Sequence, residues 1–452
     1  MKKSFLFLAI ISIISCSSCF RQSEKEAESK IASPAVPSVE DVVMYEIFVR
    51  NFTGEGTFNA IIPHLDRLKK LGVNVILLMP IQPLGKENHK RTYGSPYPIQ
   101  NYTEVNPDFG TKADFKKLVD SIHAKGMWII IDEVANHTAW DISWVKDHPD
   151  WYTHDSVTKK IIPPNPDWSD VADLNFASVD LQKAMIHAMK YWIDSFSIDG
   201  YRCDAASTVP DSFWKECIGI LRQQRPLLLL AESDSPTMYD DGFDVTYGWE
   251  MYACLKDVWS GKLPAAAVDS VLTKEQNKYP ANYHAVRFIT NHDETSRDDM
   301  PEVKFINRNG AKAAFVTMLT LPGTPLVYNG QEIGYPTEIN LYGRYKIDWS
   351  ANPDLQKWYS AVLNFFEGND VLKKGTLDQF DPGNMKVLIY QRKLLGTDPL
   401  WVIVNTSNEE ITAKLPITLQ NKKLTDMISN EGIASEEMIK LRPYEYHVLN
   451  VE

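Results

Sequence analysis

The segment "AIIPHLDRLKKLGVNVILLMPI", residues 60–81, contains a helix pattern that is followed directly by a strand pattern. Its first half carries apolar residues at helical spacing and ends at Gly72, a common helix stop signal. Residues 73–81 are almost all apolar, as is typical of parallel strands that are buried on both faces. The run "VVMYEIFVRNF" precedes them at residues 42–52 and is rich in β-branched and aromatic residues. The segment therefore predicts a β–α–β unit.

The alternation continues along the chain and yields eight strand candidates, at residues 42–52, 73–81, 127–137, 200–206, 226–235, 243–248, 285–293 and 323–333. Eight strands separated by helices are typical of a (β/α)8 TIM barrel, so we predict an α/β barrel at residues 42–375. Residues 138–178 interrupt the alternation and predict an insertion after the third strand. Residues 376–452 show period-two patterning, which predicts a C-terminal antiparallel β domain.

The composition is that of a folded protein with an acidic surface. Of 452 residues, 44% are hydrophobic and 23% are charged, which is the globular range. The formal net charge of −12 argues against a nucleic-acid partner, because phosphate contacts need clustered Lys and Arg. Cys203, Cys217 and Cys254 are too scattered for a disulfide framework or a metal cluster, so we interpret them as core residues.

The N-terminus, "MKKSFLFLAIISIISCSSCF", has the pattern of a secretory signal, with two lysines before a short apolar run. Ser15 before Cys16 resembles a bacterial lipobox, so we predict a signal peptide at residues 1–15 and lipidation of Cys16. Residues 16–41 are polar and contain proline, which predicts a flexible tether. These features indicate a lipid-anchored protein of a bacterial cell envelope. A simple secretory signal is the alternative.

Polar side chains stand where four of the predicted strands end, and in a barrel these carboxyl ends meet at one face. They are Asp132, Asn136 and His137 on the third strand, Arg202 and Asp204 on the fourth, Glu232 on the fifth, and Asn291, His292 and Asp293 on the seventh. A single carboxylate after a strand is more often a helix N-cap than a catalyst. Four such groups at one face predict an active site. A buried salt-bridge network with two hydrogen-bonded histidines is the alternative.

The carboxylates suggest glycoside hydrolysis, which needs one carboxylate to attack or activate water and another to protonate the leaving oxygen. Arg202 stands two residues before Asp204, so we expect its charge to hold Asp204 ionised, as a nucleophile requires. Glu232 follows the apolar run "LLLLA", so we expect burial to raise its pKa and to favour the role of acid.

The motifs "DEVANH", "GYRCDAAS", "LLAESDS" and "FITNHD" resemble, in the same order, the four sequence regions of the α-amylase family of glycoside hydrolases. Two further stretches, residues 94–111 and 323–334, are similar to other segments typical of that family. The resemblance covers about residues 42–350 and implies a retaining mechanism. Asp204 would be the nucleophile, Glu232 the general acid and then base, and Asp293 the stabiliser of the transition state.

The resemblance also implies supporting roles for several other residues. Arg202 would support Asp204, and Asp132 would brace Arg202. The subsite of the attacked ring would be lined by His137, by His292 and, through stacking, by Tyr97. Residues 138–178 would form one wall of the cleft.

Two departures from the family pattern concern binding. Ser207 and Thr208 stand where many members have Lys-His, and "PIQNY" follows Tyr97 where a version with Asp is common. The first change affects the neighbouring subsites and one usual calcium ligand, whereas Asn136 matches another such ligand. The resemblance therefore makes calcium possible at Asn136, and no cofactor is required.

The leading prediction is an endo-acting α-1,4-glucan hydrolase on starch, glycogen or maltooligosaccharides. A glucanotransferase, or a cyclomaltodextrinase or neopullulanase type of activity, is the nearest alternative, because these share the same glycosyl-enzyme. A noncatalytic starch-binding lipoprotein is an alternative of a different class, although a pure binder has no need of all three carboxylates.

Overall fold

The computed structural model describes residues 34, 37–297 and 299–451. Residues 1–33, which include the predicted signal peptide and Cys16, lie outside this range, as does part of the predicted tether. None of the described helices is long and apolar enough to cross a membrane. Cys203, Cys217 and Cys254 are buried free thiols, as expected of core residues.

Eight parallel strands form the centre of the fold, and each coincides with one of the predicted candidates. They are β1 Met44–Ile47, β2 Val75–Leu78, β3 Trp128–Glu133, β4 Gly200–Cys203, β5 Leu228–Ala231, β6 Thr246–Tyr247, β7 Ala285–Arg287 and β8 Thr324–Tyr328. They pair in the order β5-β4-β3-β2-β1-β8-β7-β6. A parallel bridge between Leu230 and Val245 joins the two outer strands, so the sheet closes into the predicted barrel.

The helices surround this barrel and connect its strands. The α-helices are Val49–Phe52, Phe58–Ile61, Leu65–Leu71, Lys112–Ala124, Ser143–Asp147, Val179–Phe196, Asp211–Arg222, Thr237–Asp240, Trp249–Trp259, Ala267–Lys278, His292–Arg297, Pro301–Lys304, Arg308–Thr320, Pro353–Glu367 and Asp370–Lys374. Single 3₁₀ turns lie at Val39–Asp41, Ile62–His64, Pro149–Trp151, Ala206–Thr208 and Gln331–Ile333.

The barrel strands are apolar because both of their faces are buried, as the sequence pattern indicated. Gly200 opens β4 where two strands approach closely: a Cβ there would stand 1.8 Å from the carbonyl oxygen of Leu228. In the resulting register Asp132 lies directly beside Arg202. The close packing of β4 on its neighbours thus brings two of the predicted site residues together.

Several predicted strands extend too far in the sequence interpretation, and for two of them the overrun includes site residues. β3 ends at Glu133 rather than 137, and His137–Ala139 is a separate short strand that pairs antiparallel with Val171–Asp173 in the insertion. β7 ends at Arg287 rather than 293, because the Asn291 side chain accepts hydrogen bonds from the backbone of Asp293 and Glu294 and begins a helix. Polar residues that begin the next element were thus assigned to the strand before it.

The C-terminal region is antiparallel, as expected. Six strands pair in the order Thr376–Gln379, Val387–Lys393, Leu400–Asn405, Tyr446–Val451, Leu424–Asp426 and Gly432–Ile433, and Ile411–Lys414 pairs with Met438–Leu441. Arg392 fastens this region to the barrel by donating to the carbonyl oxygens of Thr320 and Gly375, at 2.6 and 2.7 Å.

Candidate active site

Arg202 is the centre of the site at the carboxyl end of the barrel. Its side chain extends from β4 and is 1% exposed. One nitrogen, Nη1, donates to both carboxylate oxygens of Asp132, at 2.7 and 2.8 Å, and to Asp204 Oδ1 at 3.0 Å. The other terminal nitrogen, Nη2, lies 3.0 Å from Glu232 Oε2. One guanidinium therefore holds three carboxylates at short range.

Ala205 connects the two carboxylates that were predicted to be catalytic. Its φ angle of 43° is left-handed, which is costly for a residue with a Cβ. In this conformation its backbone N–H donates to Glu232 Oε2 at 2.7 Å. The strained residue directly after Asp204 thus fixes the position of Glu232.

On the opposite side of the site, His292 links a strand residue to a residue of the cleft lining. Its Nδ1 lies 2.5 Å from Glu46 Oε1 in β1, and its Nε2 lies 2.6 Å from the hydroxyl of Tyr97. That hydroxyl also donates to Asp132 Oδ2 at 3.3 Å. Asp293 follows at the start of a helix, 3.9 Å from His292 Nε2. Glu46 was not identified from the sequence, although it is the one charged residue in the apolar strand "MYEI".

The shared guanidinium does not neutralise all of these carboxylates. Burial raises the pKa of Asp204 to about 6 and that of Glu232 to about 7, and Arg202 opposes both shifts only in part. Asp293 raises both values further. The rise for Glu232 agrees with the expectation from its apolar strand. For Asp204, Arg202 favours the ionised form as expected, but desolvation and neighbouring carboxylates outweigh it and leave the pKa raised.

The two histidines of the site differ in charge. Burial opposes a charge on His292, but Glu46 and Asp293 together raise its pKa to about 9, so this ring is cationic at neutral pH. Burial lowers the pKa of His137 to about 4, with only a weak opposing effect of Asp170, so this ring is neutral. His292 can therefore donate to an anion or a hydroxyl from a charged ring.

A chain of hydrogen bonds fixes the tautomer of His137. Thr208 Oγ1 lies 2.8 Å from the Asn136 side-chain amide and 2.6 Å from the Ala205 carbonyl oxygen. The Thr208 hydroxyl donates to Asn136 Oδ1, so the Asn136 NH2 group faces His137. His137 Nδ1, 3.2 Å from Asn136 Nδ2, accepts from that NH2 group. The hydrogen of the neutral His137 ring is therefore on Nε2, which can donate to a hydroxyl.

The same contacts bear on the calcium that the resemblance implies. Both ends of the Asn136 amide are occupied by protein partners. Within residues 34, 37–297 and 299–451, no three His, Cys, Asp or Glu side chains are grouped so as to hold a metal ion. The residues present therefore do not fit a calcium site at Asn136.

A cleft of about 620 Å³ opens above these groups. Among the predicted residues, its lining includes Tyr97, His137, Asp204, Glu232 and Asp293. Arg202, His292 and Asp132 are at most 2% exposed in their side chains and support the lining from below. The cleft is also lined by residues that the sequence interpretation did not single out, which include Lys90, Trp168, Asp170, Trp249, Leu341 and Tyr342.

Trp168 and Trp249 give this cleft apolar surface at two places. Trp168, in the insertion, is 39% exposed and meets the His137 ring edge to face at 5.7 Å. Trp249 is stacked on Tyr247, with ring centroids 5.0 Å apart. Flat aromatic faces suit the apolar faces of sugar rings. The chemistry of the lining is therefore compatible with a carbohydrate chain.

Comparison with known proteins gives a consistent result. The catalytic-domain model of the alpha-amylase family matches residues 19–170. The alpha-amylase MalA of Haloarcula japonica is 29% identical over 415 residues, covering 87% of this chain and 59% of its own length. A cyclomaltodextrinase of Geobacillus thermopakistaniensis is 26% identical, with 88% of this chain and 70% of its own length covered.

A solved structure extends the match to the whole described fold. The maltogenic alpha-amylase AmyB of Thermotoga neapolitana superposes with a TM-score of 0.83 at 28% identity, and the match covers 91% of this chain and 99% of AmyB. The chain thus spans less than two thirds of MalA but nearly all of AmyB. Fold, site residues and relatives agree: the chain is similar throughout its described part to the α-amylase family of glycoside hydrolases.

Proposed function

We propose that this chain hydrolyses α-1,4-glucosidic bonds in starch, glycogen or maltooligosaccharides with retention of configuration. The single observation that carries the proposal is the pair of carboxylates held by adjacent nitrogens of Arg202, Asp204 on Nη1 and Glu232 on Nη2, each at 3.0 Å. Retaining glycosidases need two closely spaced carboxyl groups, one to attack and one to protonate.

In the first step Asp204 attacks the anomeric carbon and forms an ester, while Glu232 gives its proton to the departing glycosidic oxygen. The surroundings support this division, because Arg202 donates a hydrogen bond to Asp204, whereas burial raises the pKa of Glu232 to about 7. Glu232, now ionised, then takes a proton from water, and the resulting hydroxide equivalent attacks the same carbon. Asp204 leaves as a carboxylate, and the carboxyl of Glu232 is restored.

The remaining residues bind the ring and stabilise the charge that develops on it. Asp293 lines the cleft and can bind a sugar hydroxyl, while His292 lies beneath the lining and holds Tyr97 through Nε2 and Glu46 through Nδ1. Nε2 of His137 donates to another hydroxyl, and the ring of Tyr97 provides a stacking face. These contacts strengthen as the ring flattens toward the transition state, so they accelerate the chemical step.

Cyclomaltodextrin hydrolysis is a second candidate, because one of the related proteins bears the name cyclomaltodextrinase. Transfer to a sugar acceptor uses the same covalent intermediate and differs only in what replaces water. Product analysis separates these possibilities: maltoheptaose, amylose, pullulan and cyclodextrins are incubated with the enzyme, and the products are sized over time. Hydrolysis gives only shorter products, whereas transfer also gives longer ones.

The test of the whole proposal is sugar release itself. Wild-type protein should release reducing sugar from soluble starch or maltoheptaose, and proton NMR should show the α-anomer as the first product. A starch-binding protein without activity would bind these glucans and leave them intact. Formation of the β-anomer first would contradict the retaining mechanism.

We also propose that the protein is anchored through a lipid on Cys16, which would place it in a bacterial cell envelope. The support is the motif alone: Lys2 and Lys3, the apolar run and Ser15. Mass spectrometry of membrane-fraction protein should find a lipid-modified N-terminal Cys16. A mature protein that begins beyond Cys19 and is released into the medium would contradict this.

A further inference from the structure

A segment between β2 and the following helix crosses from one wall of the cleft to the other. We call residues 85–98 the bridge segment. Its two ends meet at the barrel rim, where Leu84 pairs with Ile99 and the N–H of Gly85 donates to the carbonyl oxygen of Pro98 at 2.9 Å. The segment therefore leaves the rim and returns to it at one point, with Tyr97 at its returning end.

On one side the bridge segment contacts the insertion. Lys90 Nζ lies 2.7 Å from Asp170 Oδ1 and donates to the carbonyl oxygen of Asp167 at 2.8 Å. Asp170 is only 5% exposed, so this ion pair is partly desolvated. The backbone N–H of Lys86 adds a contact to Asp141 Oδ2 at 2.9 Å.

On the other side it contacts the loop that follows β8. The Arg91 guanidinium lies over the ring of Tyr342, 5.1 Å from its centroid. Arg50, which is 8% exposed, joins the two segments from below, because its Nη1 donates to the carbonyl oxygens of Gly94 at 3.0 Å and Leu341 at 3.1 Å. Both contacted regions line the cleft, one through Asp170 and the other through Tyr342.

Two consecutive residues thus contact two different walls of the same cleft: Lys90 contacts the insertion, and Arg91 contacts the loop that follows β8. The position of Glu232 shows which end they close. Glu232 protonates the leaving oxygen, so the leaving part of the glucan lies toward the end lined by Ser233, Asp234 and Trp249. In the proposed mechanism the attacked ring stacks on Tyr97, whose hydroxyl contacts Asp132 and His292. The bridge segment leads from Tyr97 to its contacts with Asp170 and Tyr342, so we assign it to the other side of the attacked ring, the non-reducing side.

We infer that the bridge segment closes the non-reducing end of the cleft and makes the enzyme act near non-reducing chain ends, releasing short saccharides. This inference rests on the proposed glucan hydrolysis and replaces the endo-acting expectation drawn from the sequence. A chain that continues past the attacked ring meets Lys90 and Arg91 instead of open solvent. The determinant is the contact of these two residues with Asp170 and Tyr342.

The test compares two forms of one substrate, p-nitrophenyl α-maltoheptaoside with a free non-reducing end and the same compound with that end blocked by a 4,6-O-ethylidene group. Product chromatography should show wild-type enzyme cleaving the free form at least about tenfold faster, because steric rejection by a closed pocket is typically of this size or larger. Equal rates on both forms would overturn the inference and leave the proposed function intact. Failure to cleave either form would instead contradict the proposed function.

A double variant, Lys90→Ala with Arg91→Ala, removes both wall contacts. The ratio of the two rates should fall to within about threefold, because a detached bridge segment no longer excludes the blocked end. Lys86→Ala is the control: it removes one positive charge from the same segment, keeps the backbone contact to Asp141, and should retain the wild-type ratio. If circular dichroism shows the double variant to be unfolded, Tyr342→Ala offers the same test from the other wall. An unchanged ratio in a folded bridge variant would overturn the role of these contacts.

Discussion

Arg202 and Arg287 are two buried arginines of the same barrel, in β4 and β7, and they have opposite surroundings. Arg287 is 2% exposed and faces one carboxylate: its Nη1 and Nη2 donate to the two oxygens of Glu275 at 2.8 and 2.5 Å, and its Nε donates to the Pro322 carbonyl oxygen. Arg202 is 1% exposed and faces three carboxylates.

The difference separates a structural ion pair from a chemical site. Around Arg287 one positive charge meets one negative charge, with each terminal nitrogen used once. Around Arg202 the carboxylates outnumber the guanidinium, so burial raises the pKa of Asp204 and Glu232 toward neutrality. An excess of buried carboxylates keeps an exchangeable proton in the site, and acid–base catalysis needs such a proton.

Asp204→Asn should give the largest effect, because it removes the proposed nucleophile but little volume. Turnover of maltoheptaose should fall by about 10⁴-fold or more, since no other group can form the ester. Thermal unfolding should remain near the wild-type temperature, because the substitution relieves the excess of negative charge. A folded variant that keeps more than about one hundredth of the activity would remove Asp204 from the nucleophile's role, since general acid–base support alone contributes about 10²–10⁴-fold.

Glu275→Gln tests the surroundings of Arg287. It should lower the stability of the protein and leave its activity unchanged. Leaving Arg287 buried without its carboxylate should cost about 3–5 kcal/mol in the free energy of unfolding, while kcat per folded molecule stays unchanged. Urea unfolding and activity assays on the folded fraction measure the two effects. Lys274→Ala, which removes an exposed ion pair to Glu250 next to this residue, is the control and should cost less than about 1 kcal/mol.

Glu133 extends the comparison to a buried carboxyl for which the described residues provide no cationic partner. Neither of its oxygens accepts a hydrogen bond from the described residues, and burial raises its pKa from 4.5 to about 8. Because the folded state holds a proton that the unfolded state releases, this group lowers stability as pH rises from about 4.5 to 8.

Glu133→Gln should therefore stabilise the protein at pH 8.5 by roughly 1–3 kcal/mol and change little at pH 4.5. Chemical unfolding of both proteins at the two pH values provides the measurement. A variant that is equally or less stable at pH 8.5 would mean that Glu133 finds a compensating partner.

Thr208→Val should give the smallest effect, because Thr208 lies at the exposed rim of the site and only connects Asn136 with Ala205. We expect kcat/KM to fall by about three- to tenfold, the worth of a single hydrogen bond, and Thr208→Ser to restore it. Because the protein's own side chains occupy Asn136, EDTA should change neither activity nor melting temperature of the wild type. Loss of either after chelation, with recovery on adding calcium, would contradict the hydrogen-bonded arrangement.

Much of the fold follows from the sequence, because a buried parallel strand must be apolar and each of the eight runs marks one. Asp204 and Glu232 could be singled out as candidates for the same reason, because polar side chains directly after such apolar runs are conspicuous in the sequence. Where a polar residue begins a separate element, as His137 and His292 do, the strand boundary was wrong.

Other parts of the site could not be predicted. Glu46 was overlooked inside an apolar strand, although a lone buried charge is itself a signal of a partner. The direction of the Asp204 pKa shift depends on how many carboxylates share one arginine, which spacing along a single strand does not reveal. The contact between Lys90 and Asp170 joins two loops of ordinary polar composition 80 positions apart, and only the folded barrel brings them together.

The central claim is that Asp204 and Glu232 divide the chemistry, and Glu232→Gln with α-maltosyl fluoride tests it most directly. Fluoride leaves without a proton, so Asp204 should still form the ester, whereas water attack should stall without the general base. Mass spectrometry of digested enzyme should find a maltosyl group on the peptide that contains Asp204, and azide should restore turnover. An equal loss on fluoride and maltoheptaose, with no glycosylated peptide and no rescue by azide, would contradict this account.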